Sequence, residues 1–251
     1  MRFTILFAAL LLAQPLESLR FGRARVAESI RRRHGGITVA VEDVRKENVA
    51  LIARTCEALG LASIHLIYTP EMVPQTRAFA RLSDKLKRVT LSRISRSATD
   101  WIRVETHASA ASFVAAARAD GLRVVAPTPP DAAGGARDVY DDRDDWVDGG
   151  VALCFGSEAH GLSDELLAAA DLRVTVPQAG LTQSLNVASC AALVLGEVLR
   201  RRTFAPLGDG ERAALEAAAL APPVRLHNKA SLKREMRENA HAMKTAREVY
   251  D

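Results

Sequence analysis

An α/β fold, in which a parallel sheet is covered by helices on both faces, is what this sequence predicts, and three observations carry it. Short β-rich runs alternate with helical segments of about a dozen residues, the rhythm of strand–crossover–strand units. Two of the runs, ITVAV at 37–41 and VALCF at 151–155, are near-continuously apolar, Thr38 the one polar residue, as strands buried on both faces are. The chain has 251 residues, 48% of them hydrophobic, enough to bury a core without disulfides or metals.

The elements follow in order. Residues 37–41 form the first strand. Residues 48–59 place their apolar positions on one helical face, and Gly60 stops the helix. Residues 63–68 (SIHLIY) form a second strand, and Pro70 to Pro74 bound a loop. Stretch 81–96 holds most of the seven basic residues found up to Arg103, against Asp84 and Asp100. Residues 102–105 form a strand, 109–120 an Ala-rich helix ended by Gly121, and 122–126 another strand. A Pro/Gly loop covers 127–135, and the acidic stretch 138–148 is expected as a solvated loop. Then come strand 151–155, helix 164–170, strand 172–176 and the long helix 186–202. Beyond Pro206 the composition shifts to an Ala-rich helix at 210–220, a break at Pro222 and Pro223, and a charged helix at 229–250. The expected division is a leader at 1–16, a basic N-terminal helix at 17–35, the α/β domain at 36–205 and a helical basic extension at 206–251. Internal repeats and membrane-spanning segments are not evident.

Composition excludes whole classes. Disorder throughout, a collagen-like fibre and a disulfide scaffold do not fit these fractions. The net charge of +4 allows an anionic partner without establishing one. Aromatics are only 5%, too few for a run of stacked single-strand platforms. The three cysteines, Cys56, Cys154 and Cys190, lie in apolar runs and read as buried free thiols of a reducing compartment. There is no CxxC pair, and the six histidines are scattered along the sequence, so no metal is expected. The apolar run 3–13 has the length of a signal-peptide core, and the Arg-rich stretch 19–34 has Glu28 as its one acid. Two readings stay open: a genuine address to an organelle (plastid or mitochondrion), or a misassigned start upstream of a cytoplasmic protein.

P-loop, GxGxxG, GxSxG and HExxH signatures are missing. Three stretches carry more pattern than packing requires. In Phe155-Gly156-Ser157-Glu158-Ala159-His160-Gly161-Leu162-Ser163 a buried strand enters a Gly-rich turn and then a helix capped by Ser163 or Asp164. Glycine beside a strand end allows close backbone approach to a ligand, and ligands of open α/β sheets bind at carboxyl ends of strands. The plain alternative is an ordinary loop with a solvated glutamate. In Val176-Pro177-Gln178-Ala179-Gly180-Leu181-Thr182-Gln183-Ser184-Leu185-Asn186-Val187 a strand ends in a loop and a polar Ser-x-Asn opens a helix. Capping by Ser184 or Asn186 explains one of those polar residues, not both. Asn48 and Arg54 sit six apart on the first helix, where a mid-helix arginine is commonly a snorkelling surface residue.

Taken together and in order, the three stretches resemble the motifs of the SpoU/TrmH group of SPOUT methyltransferases: N-x-x-x-x-x-R-T at 48–55, F-G-x-E-x-x-G-L-S at 155–163 and V-P-x-x-G-x-x-x-S-L-N-V at 176–187. The resemblance spans about 36–202. The chain departs from the pattern at Ser157, at Gln178 and at Ala188-Ser189-Cys190. The resemblance implies a C-terminal deep trefoil knot and a cleft for S-adenosyl-L-methionine contacted by Gly156, Val176 and Leu185, with Thr128 completing the wall. It implies methyl transfer to a ribose 2′-hydroxyl of RNA, with Arg54 activating the hydroxyl. Asn48 would hold Arg54 or a phosphate, Glu158 would orient the arginine, and Ser184 and Asn186 would shape the pocket. It also implies a homodimer. The stretch Leu181-Thr182-Gln183-Ser184-Leu185-Asn186-Val187 leans toward the tRNA guanosine enzymes. The basic segments 20–33 and 225–247 suit RNA phosphates, or are solvated helix faces. An rRNA 2′-O-methyltransferase, a catalytically silent RNA-binding scaffold and, with the resemblance set aside, a generic nucleotide-binding α/β protein are the rival readings.

Overall fold

The computed structural model describes residues 22–68, 84–130, 135–142 and 146–220. The expected leader, the loop at 70–74 and the charged helix at 229–250 lie outside the described residues. Among those described, the strands are β1 (Ile37–Glu42), β2 (Ser63–Ile67), β3 (Arg103–His107), β4 (Leu122–Pro127), β5 (Arg137–Asp138), β6 (Gly150–Phe155) and β7 (Leu172–Thr175). The helices are α1 (Arg23–Arg31), α2 (Lys46–Ala58), α3 (Asp84–Ile94), α4 (Ala110–Ala119), α5 (Asp164–Ala169), α6 (Val187–Arg201) and α7 (Asp209–Leu220). The strands make one sheet in the order β3-β2-β1-β6-β4-β7-β5, every pairing parallel. The expected α/β architecture is therefore present.

Side-chain alternation divides the core into two layers. Val39 and Val41 point to the face covered by α2 and α6, where Ile52, Leu153 and Leu195 are fully buried. Ala40 and Cys154 point to the other face, under Phe113 of α4 and Leu166 of α5. Each such aliphatic side chain stabilises the fold by roughly 1.5–3 kcal/mol relative to exposure. Local signals agree with this packing. Ser109 and Ser112 form a capping box at the start of α4, and Gly60 and Gly121 take positive φ angles of 84° and 70° at helix ends. The terminal helices α1 and α7 pack together through Val26, Ile30, Leu207 and Leu215, against Ala62. Among the described residues no helix is long and apolar enough to cross a membrane.

Three expectations need correction. Stretch 84–94 is helical, where only its charge was legible. The acidic stretch 138–148 is not simply solvated: Val139, Trp146 and Val147 are fully buried, and Trp146 Nε1 donates to the Val139 carbonyl at 3.2 Å. Its acids meet the end of α6, with Arg200 2.6 Å from Asp142 and Arg202 3.3 Å from Asp148. Arg33, read with the basic N-terminal segment, is buried instead. Its guanidinium donates to the Glu57 and Leu61 carbonyls, both at 2.9 Å, and pairs with the Glu57 carboxylate at 2.7 Å.

Glu197 anchors the same corner, 2.8 Å from Arg200 and 2.6 Å from Arg201. The Arg200 guanidinium, helped by Arg201, holds its carboxyl below the usual range against the opposing effect of burial. Glu197→Gln should lower stability by about 2 kcal/mol at neutral pH, because Arg201 is left buried with a weaker partner. A lowered folded pKa stabilises above the unfolded value of about 4.3, and that contribution is lost as pH falls through the folded pKa. Urea unfolding at pH 7 and at pH 3 should therefore show the gap between wild type and variant closing in acid. A gap of equal size at both pH values would refute the assignment.

Candidate active site

The candidate site assembles at the carboxyl ends of the strands. After β6 the chain closes a tight loop: the Ser157 N–H donates to the Gly161 carbonyl at 3.0 Å, and the Gly161 N–H donates back at 2.8 Å. Gly161 adopts φ 70°, a conformation glycine takes without strain. A Cβ on Gly156 would lie 2.0 Å from Gly161 C and 2.2 Å from both Gly161 O and Leu162 N. Loop closure against Gly156 thus requires glycine there, a more local reason than approach to a ligand. Ser163, not Asp164, caps α5, accepting from the Leu166 N–H at 3.2 Å.

The backbone N–H and hydroxyl of Ser163 also donate to the two oxygens of Glu42, at 2.7 and 2.8 Å. Glu42 ends β1 and is buried, and that burial pushes its pKa up despite the two donors. Sequence reasoning passed over this residue. Its sole signal was an acid closing an apolar strand.

The third motif does two jobs at one residue. Asn186 caps α6, its Oδ1 accepting from the Ala188 and Ser189 N–H groups at 2.9 and 3.3 Å. Its amide also donates to Asn48 Oδ1 at 3.4 Å, and Asn48 Nδ2 donates to Glu158. One polar chain therefore links the start of α2, the 157–161 loop and the start of α6. Asn48 holds Glu158 and Asn186 here, rather than Arg54. Ser184 does not cap the helix; it stands exposed on the wall of the neighbouring cleft.

That cleft has a volume of about 430 Å³. Thr128, Gly156, Val176 and Leu185 all line it, as do Glu158 and Ser184. Ligand pockets of proteins run from about 300 to 1,000 Å³ and pair apolar walls with a few fixed polar groups. Phe155, Val176 and Val187 supply apolar wall here, and Thr128 Oγ1 is buried with no hydrogen-bond partner among the described residues. An orphaned hydroxyl in such a wall is a polar group awaiting a ligand or water. Cys190 also borders the cleft, its thiol pushed up to about 11 by burial, so it is protonated at neutral pH.

Arg54 lies elsewhere. Six residues beyond Asn48, it is about 9 Å farther along the helix axis and about 120° around it. It borders a second cavity of about 710 Å³ together with Arg25, Arg33, Arg96 and Trp101. Within one chain the structure unites Asn48, Glu158 and Asn186 beside the cleft, and leaves Arg54 on a separate, basic surface.

The profile of the SpoU rRNA Methylase family matches residues 36–196. The chain is 31% identical over 191 residues to the tRNA (guanosine(18)-2'-O)-methyltransferase of Thermus thermophilus, covering 76% of this chain and 88% of the relative. Its fold is similar to that of the TrmH/SpoU tRNA modifying enzyme of A. aeolicus, with a TM-score of 0.62 over 78% of this chain and 94% of that one, at 21% identity. It is also similar to an AdoMet-bound rRNA methyltransferase from Sinorhizobium meliloti, with a TM-score of 0.52 at 28% identity over 70% of this chain and 59% of that one. Three motifs in order, a parallel sheet that sets the second and third at one cleft, and a profile match over most of the chain agree: this protein belongs to the SpoU methylase family.

Proposed function

We propose that this protein methylates a ribose 2′-hydroxyl of a guanosine in tRNA, using S-adenosyl-L-methionine held in the 430 Å³ cleft. The observation that carries the reading is that Thr128, Gly156, Val176 and Leu185, the residues that the family resemblance implies, line that one cleft. The bound donor supplies a methyl group already activated by its sulfonium. Thr128 offers an unpaired hydroxyl, Val176 and Leu185 offer apolar wall, and Gly156 brings backbone close. The Asn48–Glu158–Asn186 chain fixes the loops that border the donor. Holding donor and hydroxyl in line can contribute on the order of 7–11 kcal/mol.

The ribose oxygen must also lose its proton. A guanidinium is effectively always charged and is a poor base. In our reading Arg54 orients the hydroxyl toward an RNA phosphate oxygen, and the phosphate would take the hydroxyl proton when the methyl group is accepted. Because Arg54 faces away from its own chain's cleft, we propose a homodimer in which Arg54 of one chain serves the cleft of the other. Leu51 on α2, Leu193 on α6 and Leu181 in the 176–186 segment are exposed, 49%, 43% and 107% respectively, and suit such an apolar contact. We further propose that the 176–186 return is threaded as a trefoil knot.

Purified full-length protein, unmodified tRNA transcripts and the methyl donor test the reading by nucleoside mass spectrometry. One 2′-O-methylguanosine per tRNA is the expected product. Donor binding by calorimetry with methylation of rRNA alone would transfer the assignment to the rRNA enzymes. Absence of donor binding would remove the methyltransferase reading altogether.

A further inference from the structure

We propose that His65, Glu105 and His107 form a binding site for one divalent transition-metal ion of zinc's class, tying the edge strand β3 to β2. The site is separate from the donor cleft and stands whether or not the function above is correct. The residues are far apart in sequence, and parallel pairing unites them: His65 is in register with Glu105, and Ile67 with His107. Residues two apart on one strand, and the residue paired between strands, share a face. His65 Nδ1 lies 2.9 Å from His107 Nε2 and 3.8 Å from Glu105 Oε2. All three ligand atoms fall within 4.8 Å of one another.

Two imidazole nitrogens and one carboxylate oxygen are a donor set that zinc accepts, with water in the fourth tetrahedral position. Bonds of about 2.0–2.2 Å in that geometry put neighbouring donors roughly 3.3–3.5 Å apart. The His65–His107 pair must open, and the His65–Glu105 pair close, by less than about 0.5 Å on that basis. His107 and Glu105, within 4.8 Å of each other, must reach the same spacing by side-chain rotation.

The surroundings already orient the ligands. Ser63 Oγ sits 3.4 Å from His65 Nε2 and 2.8 Å from Thr38 Oγ1, so the second nitrogen of His65 is engaged and Nδ1 faces the cluster. Such outer partners set the tautomer and direction of metal-binding histidines. The Phe113 ring packs against both imidazoles, with centroids 5.5 and 5.4 Å away. Arg103 Nε approaches Glu105 Oε1 at 3.5 Å, and its Nη2 pairs with Glu211 at 3.0 Å, which leaves Oε2 as the oxygen turned to His65. Proton balance is simple. The N–H shared between the facing nitrogens moves to His107 Nδ1 while His65 keeps its proton on Nε2, so two neutral imidazoles bind the ion and no proton is released.

Titration of the tag-free, chelator-stripped full chain with Co²⁺ tests the site, followed by displacement with Zn²⁺. One Co²⁺ per chain, giving the intense visible bands of a tetrahedral ion, is expected, and Zn²⁺ should abolish them and raise the melting temperature. His107→Gln should remove the bands, and Ser63→Ala should weaken binding by about 10–100-fold. If His107→Gln does not fold, Glu105→Gln on the exposed side of the cluster reads the same site. No cobalt spectrum from the wild-type chain, or a spectrum unchanged in the folded ligand variant, would overturn the proposal.

Discussion

Gly156→Ala should abolish donor binding and destabilise the fold by roughly 3 kcal/mol or more. The added carbon would lie 2.0 Å from Gly161 C, well inside contact distance, and the obstructing atoms are backbone. No side-chain rotation relieves that clash. The loop must open, which breaks the two hydrogen bonds between Ser157 and Gly161 and withdraws Glu158 from Asn48. Gly121→Ala is the control. It replaces a glycine that, unlike Gly156, takes a positive φ, 70°, and no heavy atom lies within 4 Å of the new carbon. It should cost only about 1–2 kcal/mol of backbone strain and leave the cleft intact. Thermal melts with calorimetry on both variants check the pair. Equal donor affinity in Gly156→Ala and wild type would show that the 157–161 loop is not part of the donor site.

Arg54→Ala should lower turnover by about 10²–10⁴-fold, the range for positioned proton-transfer groups, with donor affinity unchanged. The side chain is exposed and contributes little to the core, so stability should shift by less than about 0.5 kcal/mol. Turnover at the wild-type rate with a bound donor would remove Arg54 from the mechanism. Mixing Arg54→Ala with Glu158→Ala chains tests the dimer. If Arg54 serves the neighbouring cleft, a mixed dimer keeps one intact site, and random exchange should restore about a quarter of wild-type activity. If each cleft uses its own arginine, both sites of the mixed dimer are damaged and nothing is restored.

Period and punctuation made most of the architecture legible in one dimension. ITVAV and VALCF are almost wholly apolar, Thr38 excepted, because both of their faces are covered, and Gly60 and Gly121 end helices by turning left-handed themselves. The four cleft residues were legible through the motif resemblance; Gly156, Val176 and Thr128 sit just beyond strand ends, which a parallel sheet gathers at one edge, and Leu185 lies two residues before α6. Long-range pairing was not legible. Nothing near Glu42 in sequence announces that Ser163, 121 positions later, will satisfy its buried carboxylate. Nothing in a scatter of histidines announces His65 beside His107, because strand register alone sets that distance. The acidic stretch 138–148 read as solvated because charge dominates its composition, while its three buried apolar side chains and the arginines ending α6 decided its place.

Chain order and local periodicity thus carried the fold class and the place of most elements, since these depend on neighbours within one turn or one strand, while the cleft residues were named through the resemblance of three motifs to the SpoU/TrmH group. The Asn48–Glu158–Asn186 linkage, the separation of Arg54 from it and the His65–Glu105–His107 cluster came from the folded chain alone, since each depends on how distant segments are set against one another by the sheet.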